Sequence, residues 1–339
     1  MNDAPTFSVI FPTYNRCDVV ERTIRHLFAQ EYPSDRIEII AVDNSTDDTP
    51  DMVERLAAES RLHNGPSLRL VRSADRLPAV KRNRGLDVAT GDYAFFVNDD
   101  MWFEPDAIAH HARVHQRWNE PIAVLGACRQ SPEMAQTPFV EFYEPFMYDR
   151  MTEHAGEPLP YQFFWSMNLS MPRRVMIERN LIFHENWAHI GHEDVELGWR
   201  WTRAGLRAIY APAARADHYH PHTVQSACRL QESIGRGLRD LEALVDDPGL
   251  LERYGVLTTN TSIRGGARGI ARELLFNRYT APRVVHWLDH RTRNTRLTRW
   301  MYWKVLIHYA NAGYRDEPSR APVASVTLPP LAVPSGPTT

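Results

Sequence analysis

No stretch of this 339-residue sequence approaches the roughly 18 to 20 consecutive apolar residues that span a bilayer. Its amino terminus does not join a basic start to an apolar run either, so no secretory signal is expected. The expectation is a soluble, cytoplasmic protein, at most associated with the cytoplasmic face of a membrane. Cysteine is scarce: Cys17, Cys128 and Cys228 are odd in number and widely separated. That excludes a disulfide framework and a paired-cysteine zinc site, and implies reduced thiols. Net charge is small too, and −3 is too near neutral for nucleic-acid binding to be the general business of the chain. No internal repeat is present.

What is there is enough apolar material, 43% of residues, for a sizeable core and an appended segment. Phe7 to Phe11 reads as a strand stopped by Pro12. Asp18 and Glu21 then suggest a capping box for a helix presenting Val20, Ile24, Leu27 and Phe28. Ile37 to Val42 repeats the pattern, with Thr49-Pro50 starting the next helix. Leu68 to Val71, a helix from Pro78 to about Ala89, a strand over Tyr93 to Val97, a helix opened by Pro105 and a strand over Ile122 to Ala127 continue it. This alternation predicts an α/β fold with a doubly wound, mainly parallel sheet, whose ligands lie beyond the carboxyl ends of the strands. Residues 128 to about 165 show no clean period. From Thr223 the pattern is helical, interrupted near Asp247-Pro248 and Gly265-Gly266.

The strand Tyr93 to Val97 runs directly into Asn98-Asp99-Asp100. Such a triplet favours tight turns. At the carboxyl end of a strand it also offers the oxygen ligands that Mg²⁺ or Mn²⁺ requires alongside substrate phosphates. Here the sequence resembles the family 2 glycosyltransferases of the GT-A fold, inverting and metal-dependent enzymes with a nucleotide-diphosphate-sugar donor. Their corresponding strand ends in an Asp-x-Asp triplet on the metal. Asn98 replaces the first carboxylate, which shifts the metal expectation to Asp100 and leaves Asn98 and Asp99 for the nucleotide or water.

The resemblance starts at Ser8-Val-Ile-Phe-Pro-Thr-Tyr-Asn-Arg16, similar to the family's first strand and nucleotide-binding turn. It assigns Pro12, Thr13, Tyr14 and Asn15 to the nucleotide. Asp43 matches the aspartate that accepts from the base, with a uracil imide as the donor. Arg82 and Asn83, in Lys81-Arg-Asn-Arg-Gly85, match the stretch near the diphosphate, while Lys81 and Arg84 read as a solvated helix face.

Trp165-Ser-Met-Asn-Leu-Ser-Met-Pro-Arg-Arg174, Phe183-His-Glu185 and Gly191-His-Glu-Asp-Val-Glu-Leu-Gly198 are similar to the family's acceptor half. The resemblance assigns Trp165, Asn168 and Glu193 to the acceptor and Asp194 to removal of the acceptor hydroxyl proton. A helix N-terminus would depress the pKa of Asp194, and desolvation would oppose that. The run Leu206 to His218 looks like the strand that ends in a metal-binding histidine; His218 matches by position, and His220 and His222 compete for the role. A zinc site is the alternative.

Between Arg264 and Arg315 eleven Lys or Arg face only Glu273 and Asp289, with Trp287, Leu288, Leu297, Trp300, Met301, Trp303 and Val305 interleaved. Peripheral contact with an anionic membrane surface is one expectation; a helical lid or homodimer contact is the other. The expected organisation is a transferase domain over 1–222, with a nucleotide-sugar half (1–127) and an acceptor half (128–222). A helical extension over 223–315 and a disordered Pro-, Ser- and Thr-rich tail over 316–339 follow. The expected activity is sugar transfer with inversion from a nucleotide diphosphate donor, UDP first, to the hydroxyl of a glycan, lipid-linked or natural-product acceptor, with Mn²⁺ or Mg²⁺. A nucleotidyltransferase would want a glycine-rich loop after the first strand, and Pro12 to Arg16 has no glycine. A non-catalytic sugar-nucleotide or glycan binder is the third reading.

Overall fold

The first apolar run forms β1 (Phe7–Thr13), and its alternate side chains enter two different cores: Ile10 on one face of the sheet, Phe7, Val9 and Phe11 on the other. Two-sided burial is why the run reads as continuously apolar. The computed structural model describes residues 4–154, 156–187, 189, 191–254 and 275–316. After β1 come α1 (Cys17–Phe28), β2 (Ile37–Asp43), α2 (Thr49–Leu62), β3 (Ser67–Arg72), α3 (Pro78–Val88), β4 (Tyr93–Val97), β5 (Met101–Phe103), α4 (Ala107–Arg117) and β6 (Ile122–Gln130). They continue as α5 (Pro138–Tyr148), β7 (Asn168–Pro172), α6 (Arg173–Glu178), α7 (Glu193–Arg203), β8 (Arg207–His218), α8 (Val224–Leu244) and α9 (Leu250–Arg253). Last come α10 (Ala281–Asp289) and α11 (Arg296–Asp316).

These strands form one sheet in the order β3-β2-β1-β4-β7-β6-β8-β5. β3, β2, β1, β4, β6 and β8 run the same way, and β7 and β5 run against them. The expected doubly wound, mainly parallel α/β sheet is therefore present. One face packs on α1, α2 and α4 through Val20, Ile24, Leu56 and Ile108; the other buries Phe96, Phe183 and Trp201.

Three local readings change. Asp18 and Glu21 form no capping box: α1 begins at Cys17, so Asp18 lies inside the first turn, and Glu21 pairs with Arg25 and Arg55 instead. The aperiodic segment 128–165 holds α5, whose Phe139, Val140 and Tyr143 are all buried. A helix this apolar shows no polar stripe to read. Finally, α5, α8, α10 and α11 share a separate core that includes Phe139, Tyr143, Cys228, Leu288, Tyr302 and Val305. The break expected near Asp247-Pro248 falls between α8 and α9. Gly265-Gly266 and the tail from residue 317 lie outside the described residues. Among the described residues no helix is long and apolar enough to cross a membrane.

Candidate active site

β4 ends at Val97 in the middle of the sheet, so Asn98-Asp99-Asp100 emerges at its carboxyl edge. The chain then turns sharply into β5, which pairs antiparallel with the end of β8, Met101 opposite His218. The backbone N–H of Tyr219 donates to the Asp100 carbonyl at 2.8 Å. This pairing sets Asp100 between two imidazoles: His218 Nε2 is 3.2 Å from Oδ1, and His220 Nδ1 is 3.2 Å from Oδ2. Ligand atoms of the three residues all lie within 4.8 Å of one another. His222 does not join them. Its ring stands edge-on to Tyr143, and burial together with His220 and His218 pushes its pKa down to about 3.

Arg16 completes this cluster, and its role is not visible in the motif that contains it. One guanidinium nitrogen, Nη1, donates to Asp99 Oδ1 at 2.8 Å and to Asp100 Oδ2 at 3.0 Å. Thr13 Oγ1 donates to Asp99 Oδ2 at 2.8 Å. Burial and the neighbouring charge of Asp100 raise the Asp99 pKa to about 6. Burial would raise Asp100 as well, but the charge and hydrogen bond of His218, with His220 and Arg16, hold it well below the usual carboxylate range. The donor set, a carboxylate between two imidazoles, fits a divalent ion. So does the placing of Asp100 Oδ1, which is buried and faces His218 Nε2.

The loops after β1 and β2 meet beside this cluster, with Thr13 paired opposite Asp43. Asn15 adopts φ 51°, a conformation asparagine tolerates better than most residues. From there its N–H donates to Ser45 Oγ at 2.7 Å, and its Oδ1 accepts from the N–H of Thr46 at 2.8 Å. Asp43 is fully buried; Ser45 donates to Oδ1 and Arg72 to Oδ2. Tyr14, which follows Pro12 and Thr13 on the same loop, is 48% exposed. Lys81 corrects the sequence reading: it is buried, and its Nζ donates to the Thr13 carbonyl at 2.7 Å and to Asn44 Oδ1. Arg84 is exposed as expected, and pairs with Asp75.

α3 also supplies Arg82, whose Nη2 donates to Asn98 Oδ1 and whose Nη1 donates to Glu193 Oε1, both at 3.1 Å. Glu193 opens α7 and accepts from the N–H of Gly191 at 3.0 Å. Gly191 itself sits at φ 130°, where a side chain would be strained. Asp194 Oδ2 accepts from the N–H and hydroxyl of Ser166, at 3.0 and 3.2 Å. Its pKa is raised to about 6, by desolvation first and Glu193 second. The depression expected from the helix terminus is thus outweighed.

Two assigned residues stand apart. Asn83 is held by Phe183 and Glu185, tying α3 to the segment before α7. Asn168 faces the sheet interior, where its amide donates to the carbonyls of Ala127 and Ala214 and its oxygen meets His111 Nε2 at 2.9 Å. It packs so closely over Gly126 that a Cβ there would come within 2.2 Å of Asn168 Nδ2. Trp165 is half-buried, edge-on to Phe163 and next in sequence to the Ser166 that binds Asp194.

The sequence model of Glycosyl transferase family 2 matches residues 8–175, the segment that supplies Arg16, Asp43, Arg82 and Asp100. The chain belongs to glycosyl transferase family 2. Within that family it is 36% identical over 99 residues to the amylovoran biosynthesis glycosyltransferase AmsB of Erwinia amylovora, covering 29% of this chain and 32% of that protein. It is 27% identical over 228 residues to validoxylamine A glucosyltransferase of Streptomyces hygroscopicus, covering 60% of this chain and 52% of the relative. The family 2 chain thus spans about a third to a half of the length of these relatives.

Solved structures share the fold at lower identity. The mannosyltransferase PcManGT from Pyrobaculum calidifontis, in complex with GDP-Man and Mn²⁺, matches with a TM-score of 0.62 at 19% identity, over 92% of this chain and 88% of that one. S. aureus TarS 1-349 in complex with UDP matches with a TM-score of 0.52 at 16% identity, over 91% of each chain. These likenesses establish the GT-A architecture for this family 2 protein.

Proposed function

We propose that the protein moves a hexose from a nucleotide diphosphate sugar, UDP first, to an acceptor hydroxyl with inversion at the anomeric carbon. The observation that carries this reading is the grouping of Asp100 with His218 and His220 at the carboxyl edge of the sheet, joined through Asn98, Arg82 and Glu193 to Asp194. The sugar-nucleotide complexes of PcManGT, with GDP-Man, and of TarS, with UDP, support a donor of this class.

In this reading the exposed ring of Tyr14 packs on the base, and Asp43 beneath the loop accepts from the base edge. Asp100, His218 and His220 would hold Mn²⁺ or Mg²⁺, and of these two the imidazole nitrogens favour Mn²⁺ over the harder Mg²⁺. When bound, the ion neutralises charge on the diphosphate leaving group. Glu193, fixed by Arg82, orients the acceptor. Asp194 accepts the acceptor's hydroxyl proton, a task suited to a carboxylate whose pKa has been raised toward neutrality. The transferase occupies residues 1–222, and the helices beyond belong to an extension.

A thermal-shift panel of UDP- and GDP-sugars with and without Mn²⁺ tests the donor. The expected result is a rise in Tm with a UDP-sugar that requires the ion. Absence of any shift across the panel would refute the assignment.

A further inference from the structure

The apolar residues of the basic carboxy-terminal segment divide sharply. Leu288, Tyr302 and Val305 are buried in the core shared by α5, α8, α10 and α11. Leu297 is 60% exposed, Trp300 45%, Trp303 38% and Trp287 37%. At about 100° per residue along a helix, Arg296, Leu297, Arg299, Trp300 and Trp303 fall on one continuous arc of α11, opposite the buried Thr298, Tyr302 and Val305. Trp287 joins this arc across the turn between α10 and α11, where a groove of about 420 Å³ is lined by Trp287, Arg291, Arg293 and Leu297, among others. The Arg291 guanidinium lies 4.1 Å from the Trp287 ring. From His290 to Arg315 there are six Lys or Arg and no Asp or Glu, in a chain whose net charge is −3.

We infer that this corner, α10 to the first turns of α11, is a docking surface for an anionic lipid bilayer. Tryptophans with one polar edge suit the level of the headgroups, and arginines around them meet lipid phosphates. Local charge disfavours the obvious competitor: a symmetric contact between two copies would bring two arginine-rich corners together. The helix lies on the surface and does not cross it, consistent with its mixed face.

Co-sedimentation of the full chain with vesicles tests this, independently of any sugar-nucleotide chemistry. About tenfold more protein should pellet with phosphatidylcholine vesicles containing phosphatidylserine than with phosphatidylcholine alone, and high salt should reverse it. Arg296→Glu/Arg299→Glu should abolish pelleting while keeping the parent's circular dichroism and Tm. In the parent, tryptophan fluorescence should shift to the blue on anionic vesicles, a readout that needs no variant. Equal pelleting with both vesicles, no pelleting, binding of heparin without binding of vesicles, or a dimer dissolved by the charge reversal would each overturn the inference.

Discussion

Arg82 Nη1 lies 3.1 Å from Glu193 Oε1, with both side chains almost wholly buried. The pair links α3, in the half that carries the nucleotide loops, to the first residue of α7. Removing one member of a buried pair leaves the other charge without compensation. Arg82→Met should lower unfolding stability by about 3 kcal/mol, and the double variant Arg82→Met/Glu193→Gln should recover part of that loss. Urea denaturation of the parent and the two variants checks both expectations.

Arg16 holds Asp99 and Asp100 together with one nitrogen. A divalent ion drawn to Asp100 therefore competes with a cation already in place. Arg16→Ala should bind Mn²⁺ about tenfold more tightly, equivalent to about 1.4 kcal/mol, while losing stability in the ion's absence. Titration of the Mn²⁺ electron-spin-resonance signal and metal-free thermal melts measure the two effects separately. Unchanged Mn²⁺ affinity would show that Arg16 does not contend for the site.

His111 is fully buried between Ser170 and Asn168, and burial lowers its pKa from 6.5 to about 4. His115, hydrogen-bonded to the same Ser170, is lowered in the same direction and for the same first reason. The unfolded chain takes up these protons before the folded one does. The stabilisation is thus fully present above about pH 6.5 and fades as pH falls toward 4. His111 alone accounts for a loss on the order of 3 kcal/mol over that window. His111→Leu should lie lower at neutral pH but fall less steeply on acidification, as urea midpoints at several pH values would show.

The order of strands and helices through Ala127, apart from the three-residue β5, was legible in the sequence because each of those strands is a short apolar run closed by a turn signal, as Tyr93 to Val97 is. Asp100 and His218 were named through the family resemblance, and they lie together in the structure. The roles of Arg16 and Lys81 were not legible. Their partners are 84 residues away for Asp100 and 68 for the Thr13 carbonyl, and a cation at a strand or helix end looks the same whether solvated or buried. Asn168 fits the family motif, and its side chain is engaged by Ala127, Ala214 and His111 in the sheet interior, contacts that no local pattern announces. Segment 128–165 hid α5 because its run PFVEFYEPFMY offers only Glu141 and Glu144 as polar marks among apolar residues and prolines.

Asp194, with a pKa raised to about 6 by desolvation and Glu193, must lose its proton to act as a base. Turnover should therefore rise with pH through about 6 and level off above it. Asp194→Asn should cut kcat by about a thousandfold while leaving the thermal shift with the sugar nucleotide intact. A pH profile unchanged in position, or an Asp194→Asn variant with near-parental kcat, would remove Asp194 from the role of base.

Release of nucleoside diphosphate from a UDP-sugar measures the proposed transfer most directly. The parent should release UDP only when Mn²⁺ or Mg²⁺ is present, and Asp100→Ala should release at least about a hundredfold less, in keeping with the loss of leaving-group stabilisation. Release that ignores the metal and the Asp100 substitution, or formation of pyrophosphate from UTP and a sugar phosphate instead, would contradict it.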